Sequence, residues 1–100
     1  MSEWLEKSAI QLASAIRERR VSSEEVVSVH VEHIKKVNPK LNAVVRDRFQ
    51  QALDDSRAAD LLLEKSSSNL PLFHGVPCTI KECFSMQNMP QSSGLVSRKD

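Results

Sequence analysis

The sequence has few aromatic residues and no excess of charge of either sign. Aromatic side chains make up 4% of the 100 residues, and 14 Lys and Arg stand against 13 Asp and Glu. Nucleic-acid binding relies on basic side chains that release counterions and on aromatic platforms for bases, so we expect no nucleic-acid partner. Long apolar runs are also lacking. The run Leu61-Leu62-Leu63 is far shorter than the about 20 residues of a membrane-spanning helix, and we expect no such helix.

Cysteine is scarce as well, with Cys78 and Cys83 five positions apart. The charged start of the chain, Ser2 to Lys7, does not resemble a signal peptide, so we expect reduced thiols and a cytoplasmic protein. The composition leaves peripheral membrane binding open. Cys78, Cys83 and His74 lack the spacing of a zinc site, and we interpret both cysteines as core thiols. We therefore expect neither a metal nor a cofactor.

Apolar periodicity predicts a first helix that begins at Ser8 and ends in the basic run 17–20. Ser8 and Gln11 fit a capping box, and a basic run at a helix end complements the macrodipole. We prefer this solvated helix end to a targeting or nucleic-acid signal. The apolar positions recur at helical spacing, at Leu5, Ala9, Leu12, Ala13 and Ile16.

A second helix is predicted from Ser22, which forms another capping box with Glu25. Pro39 restricts the residue before it, so this helix should end near Val37. His30 falls within the apolar stripe and His33 at its edge. Because no carboxylate or Cys lies at ligand spacing, we interpret them as core or boundary residues rather than as metal ligands. The stripe itself consists of Val26, Val27, Val31, Ile34 and Val37.

The remaining elements are a strand at 41–45, a third helix over about 49–63, and a buried strand at Val76–Ile80. The predicted order is helix, helix, strand, helix, strand, loop. Lys81 directly follows the second strand, where reactive groups are common. A surface lysine with a buried stem explains the same position, so composition alone leaves its role open.

The segment HGVPCTIKE at 74–82, followed by FSMQNMPQSSG, resembles the N-terminal part of the amidase signature family, in which a Gly-Val-Pro stretch runs into Ile-Lys-Asp or Val-Lys-Glu. LASAIRERRVSSEEVV and HIKKVNPKLNAVV follow the same family's order of elements. The resemblance covers about residues 12–100 and, within the family, is greatest to animal fatty-acid amide hydrolases of the second type. It implies an α/β fold with a mixed sheet, of which these residues form an incomplete N-terminal portion.

The resemblance also implies division of the amidase portion, 1–100, into a helical region over about 1–65 and a strand with a catalytic-lysine loop over about 70–100. Lys81 matches the lysine of a Ser, cis-Ser, Lys triad that cleaves carboxamides. The Gly- and Ser-rich segment of the family's two serines is not found in the sequence. Ser92 and Ser93 lack its flanking glycines, so we expect the 100-residue chain to be inactive alone, with three helices and a loosely ordered last third.

Two departures from the family pattern favour a lipid amide over a polar amide as substrate: Glu82 stands where most members have Asp, and Cys83 where many have Asn. The expected partners are thus a small-molecule lipid amide and the rest of an amidase domain or a second copy of the chain. Two alternatives stay open. One is a non-catalytic helical interaction module, and the other is the amidase subunit of a tRNA-dependent amidotransferase.

Overall fold

A computed structural model describes residues 2–65 and 69–81 of the chain. A 3₁₀ turn, Glu3–Glu6, precedes three α-helices: α1 is Ala9–Arg17, α2 is Ser23–Leu41 and α3 is Phe49–Lys65. The predicted helices are thus confirmed. The described residues contain no strand, so the strands predicted at 41–45 and Val76–Ile80 are wrong.

Both ends of α1 follow local capping rules. Ser8 Oγ accepts the Gln11 N–H, and the Gln11 side chain accepts the Ser8 N–H, which confirms the capping box. At the other end, Arg20 N–H donates to Ala15 O and Arg19 N–H to Ile16 O. This is a Schellman motif, in which the left-handed position falls on Arg19 (φ 60°) rather than on glycine.

The basic run at the end of α1 is exposed, as predicted, but two of its arginines also bind distant carbonyls. Arg19 Nη2 donates to Leu63 O in the last turn of α3 at 3.0 Å. Arg17 Nη2 lies 3.3 Å from both Pro71 O and Leu72 O. Since the last carbonyls of a helix have no partner within it, Arg19 satisfies one of those of α3.

The second helix is longer than predicted because Pro39 does not end it. Proline lacks an N–H and crowds the preceding turn, but near a C-terminus the lost bond belongs to a single turn. The helix ends at Asn42, whose backbone is left-handed (φ 51°, ψ 36°) and whose N–H donates to Asn38 O at 2.7 Å. The Asn38 side chain also donates to Val44 O and accepts the Val44 N–H, so residues 42–44 form a helix cap instead of a strand.

The core lies where α1, the start of α2 and the end of α3 meet. Its buried residues are Leu12, Ala15, Ile16, Val21, Val26 and Leu63, with Trp4, Leu70 and Val76 packed against them. Outside the core, Arg57 of α3 pairs with Glu24 of α2 at 2.6 Å, and this contact raises the pKa of Arg57. His30 is a half-buried boundary residue, as predicted: its Nδ1–H donates to Val26 O at 2.8 Å.

Candidate functional site

Lys81, the candidate catalytic residue, lies at the end of a segment that begins after Gly75 and forms neither helix nor strand. Val76 and Pro77 are half-buried, whereas Cys78, Thr79, Ile80 and Lys81 are exposed. The prediction that Val76–Ile80 is buried is therefore wrong beyond Pro77. The prediction that Cys78 is a core thiol is also wrong. Among the described residues no strand lies beside this segment, so its backbone groups have no ladder to pair with.

A tight turn between residues 71 and 76 sets the direction of this segment. His74 N–H donates to Pro71 O and Val76 N–H to Phe73 O, each at 3.1 Å. Gly75 adopts φ +83°, a region that side chains other than glycine rarely enter. A Cβ atom at Gly75 would also lie 3.1 Å from both Cβ and Oγ of Ser23 and 3.4 Å from Ile16 Cγ2. The turn therefore requires glycine for its backbone angle and for its close packing.

The turn is hydrogen-bonded to each of the three helices. Arg17 of α1 binds the carbonyls of Pro71 and Leu72. Ser23 of α2 donates from Oγ to Gly75 O at 2.6 Å. His74 Nε2 lies 2.8 Å from Ala59 O of α3. Because a carbonyl accepts, this histidine nitrogen must carry the proton, and its role is structural rather than metal-binding.

Asp60 of α3 holds the beginning of α2 beside the turn. Its Oδ1 accepts the Ser23 N–H at 2.7 Å, and its Oδ2 accepts the Glu24 N–H at 3.0 Å. A carboxylate at a helix N-terminus satisfies free N–H groups and interacts favourably with the helix dipole. Together with the Ser23 hydroxyl, it connects α3, α2 and the turn in one network.

An open depression of about 370 Å³ lies elsewhere, between the end of α2 and the start of α3. Asn38, Val44 and Phe49 contribute to its wall, and the Lys35 amine lies 5.7 Å from the centre of the Phe49 ring. Lys81 does not line it. Among the described residues, no group of three or more His, Cys, Asp or Glu is placed to hold a metal ion.

The sequence predicts a role for Lys81 but does not predict the hydrogen-bond network around the turn that precedes it. Ser22 is recognisable as the helix cap, whereas Ser23, the next residue, makes the long-range contact. Asp60 carries no local signal of its role, and Gly75 stands out only as part of a motif. The sequence offers one hint of the contact, a second serine directly after the serine that caps α2. Its partner, Gly75, is 52 residues away, and no local pattern reveals the pairing. Cys83, Ser92 and Ser93 lie outside the described residues.

Comparison with known proteins gives a family match and several relatives. The family model described as Amidase matches residues 25–100. The chain is 45% identical over 100 residues to fatty-acid amide hydrolase 2-A of Danio rerio, covering 93% of the chain and 19% of the relative. It is 42% identical over 93 residues to indoleacetamide hydrolase of Bradyrhizobium diazoefficiens, covering 93% of the chain and 18% of that relative.

It is also 35% identical over 94 residues to a glutamyl-tRNA(Gln) amidotransferase subunit of Acidothermus cellulolyticus, covering 94% of the chain and 18% of the relative. The chain thus spans about a fifth of the length of the curated relatives it matches. No solved structure matches it. In the part of the chain that the structure describes, every helix is too short or too polar to cross a membrane.

Proposed function

The chain belongs to the amidase family, and from this premise we propose that it contributes Lys81 to the hydrolysis of carboxamide bonds, with fatty-acid amides as the preferred substrates. The observation that supports this most is the position of Lys81. It lies within the matched residues, and it follows by six positions a turn that is hydrogen-bonded to α1, α2 and α3. Such anchoring suits a base that must lie within hydrogen-bond reach of the group whose proton it accepts.

In the proposed reaction the neutral Lys81 amine is the base. A bridging cis-serine passes its proton to Lys81 and takes the proton of a second serine, whose oxygen attacks the amide carbonyl. Backbone N–H groups stabilise the oxyanion. The C–N bond then breaks, and the departing amine receives a proton through the same relay. Water hydrolyses the acyl-enzyme, which releases the carboxylic acid and restores the serine.

The lysine has to lose its charge for this step, and a closed, desolvated pocket favours the neutral amine. Lys81 is exposed among the described residues, and the family's Gly- and Ser-rich nucleophile segment is not found in the sequence. We therefore propose that both serines and the cover over Lys81 come from other parts of an amidase domain. On this account the 100-residue chain alone has no turnover.

Fatty-acid amides are preferred because of the similarity to fatty-acid amide hydrolase 2-A and the Lys81-Glu82 pair. A second candidate function, the amidase subunit of a tRNA-dependent amidotransferase, is favoured by the similarity to the Acidothermus protein. A third candidate function is a non-catalytic interaction module. It is favoured by exposed apolar side chains among the described residues, such as Leu72, Phe73 and Ile80. The three make different predictions about turnover.

The test is a chimera in which this chain replaces the matched stretch of the Danio rerio hydrolase. Turnover is measured with a fatty-acid amide, indoleacetamide and glutamine, together with labelling by a fluorophosphonate serine probe. We expect hydrolysis that is fastest for the fatty-acid amide, and a loss of about 10²–10⁴-fold in Lys81→Ala. Lys65→Ala, which removes an exposed lysine at the end of α3, serves as the matched control and should retain turnover.

The outcomes separate the candidates. A folded chimera without turnover, or Lys81→Ala with normal turnover, contradicts a catalytic role for this chain. A ratio of glutamine to fatty-acid amide turnover that is higher than in the unaltered Danio rerio hydrolase supports the amidotransferase candidate instead. If the 100-residue chain alone is labelled by the probe, the nucleophile lies within it, and Ser92 and Ser93 become the residues to replace first.

A further inference from the structure

We propose that Ser23 is a positioning residue for Lys81: its buried hydroxyl, hydrogen-bonded to the Gly75 carbonyl, fixes the turn from which the lysine-bearing segment starts. Asp60 supports it by holding the Ser23 backbone. The inference rests on the proposed function, in which Lys81 supplies the catalytic amine. It assigns a role in the reaction to a residue far from Lys81 in sequence and not itself in contact with substrate.

The Ser23 hydroxyl is not needed by its own helix. The N-cap of α2 is Ser22, whose Oγ accepts the Glu25 N–H at 3.0 Å. Ser23 is 1% exposed and lies in the apolar surroundings of the core. A hydroxyl buried there costs free energy unless it has a partner, and its partner is the Gly75 carbonyl at 2.6 Å. The contact thus joins α2 to the turn and to no other element.

The accepting side of this contact is equally constrained. Gly75 has φ +83°, and a Cβ there would lie 3.1 Å from Ser23, so close that Ser23 would have to shift. Asp60 fixes the opposite side by accepting the N–H groups of both Ser23 and Glu24. Ser23 is therefore held on two sides, its backbone N–H by a carboxylate of α3 and its hydroxyl by a carbonyl of the turn, and neither side can shift without breaking a hydrogen bond.

The hydrogen bond between Ser23 and Gly75 affects the position of Lys81 because the segment that carries the lysine begins at Gly75. Lys81 is six positions beyond Gly75, and a chain advances at most about 3.3–3.6 Å per residue, so the two residues are at most about 20–22 Å apart. At that greatest separation, a rotation of about 5° at Gly75 would move Lys81 by up to nearly 2 Å. Misplacement of a reacting group by about 1 Å can lower a rate about 10²-fold.

The experiment compares Ser23→Ala with Ser56→Ala in the active chimera. Ser56 is the matched control because it too is a buried serine, 3% exposed, whose hydroxyl donates at 2.6 Å to a carbonyl, that of Leu53 within α3. We expect Ser23→Ala to lower kcat about 10²-fold with KM within about twofold of the parent. Ser56→Ala should leave kcat unchanged, although it loses the same kind of hydrogen bond.

Two further measurements keep the inference testable if Ser23→Ala folds poorly in the chimera. Asp60→Asn keeps an oxygen for one of the two N–H groups and should lower kcat by an intermediate factor, about tenfold. In the 100-residue chain, amide hydrogen exchange at His74 and Val76, whose N–H groups close the turn, should quicken about tenfold in Ser23→Ala and not in Ser56→Ala.

Equal kcat values for folded Ser23→Ala and Ser56→Ala, or unchanged exchange at His74 and Val76, would overturn the positioning role. That failure is distinct from failure of the proposed function, which shows as normal turnover in Lys81→Ala. A fall in kcat confined to Ser23→Ala and Asp60→Asn, together with faster exchange in the turn, supports it.

Discussion

At Gly75, two separate constraints disfavour a side chain, the positive φ and the close contact with Ser23. The first costs an L-residue about 1–2 kcal/mol, and crowding in a packed site adds about 1–3 kcal/mol. We therefore expect Gly75→Ala to lower the free energy of unfolding by more than about 2 kcal/mol, as measured by urea denaturation.

A double-mutant cycle separates the two costs. Ser23→Gly removes the Cβ and Oγ that a methyl group at Gly75 would meet at 3.1 Å. In that background Gly75→Ala should cost less than in the parent chain, and the remaining cost reports the backbone strain. The same cost in both backgrounds would show that the contact with Ser23 contributes nothing.

Glu18, at the end of α1, gives a prediction about pH. The hydrogen bond from Ser14 Oγ (2.8 Å) and the nearby Arg20 guanidinium lower the pKa of Glu18 below its ordinary value of 4.5. Ser14→Ala removes the larger of these causes, so the Glu18 carboxyl pKa, followed by NMR titration, should rise toward 4.5.

The sign of the accompanying stability change follows from linkage. A carboxyl whose pKa is lower in the folded state contributes stability above its unfolded pKa and loses it as pH falls through the folded value. The free energy of unfolding of the parent relative to Ser14→Ala should therefore decline on acidification below about pH 4.5. A difference independent of pH, or an unchanged Glu18 pKa, would contradict the role given to Ser14.

Among the helices, α2 shows most directly how an element ends. Asn42 occupies a left-handed position that glycine adopts at no steric cost and alanine does not. We expect Asn42→Ala to be less stable than Asn42→Gly by about 1 kcal/mol in urea denaturation. The side chain is exposed, so lost packing does not enter the comparison. Equal stabilities would contradict a left-handed cap at this residue.

The element scale also shows where sequence reasoning holds. The capping box at Ser8 and the periodicity of α1 and α3 are local signals, because each depends on residues within two turns of one another. Pro39 is local too, yet it misleads. Proline disfavours the α region for the residue before it. In α2 this bias is outweighed by the rest of the last turn and by the Asn42 cap, and a prediction from Pro39 alone does not include them.

At the scale of the whole molecule, the long-range contacts are beyond prediction from one sequence. Ser23, Asp60 and Gly75 are separated by 15 to 52 residues, and each has an ordinary local explanation, as helix start, helix interior and turn. The strand predicted at Val76–Ile80 fails for a related reason. β-Branched residues favour a strand only where a neighbouring strand supplies hydrogen bonds, and the described residues contain none.

The sequence does indicate the family and, through the resemblance to it, predicts a catalytic role for Lys81. The structure adds the contacts that precede this lysine: the three helices are hydrogen-bonded to one turn, and the segment that ends at Lys81 begins at that turn. The central claim is that the anchored turn positions the Lys81 amine, which acts as a base in amide hydrolysis.

Chemical rescue tests that claim most directly. In the chimera carrying Lys81→Ala, turnover of a fatty-acid amide is measured with increasing concentrations of a small primary amine such as methylamine, with the Lys65→Ala chimera as control. If the missing amine is the base, methylamine should restore part of the turnover in a saturable manner, and more at higher pH, where more of it is neutral. Loss of turnover in Lys81→Ala that no primary amine restores at any pH would contradict the account.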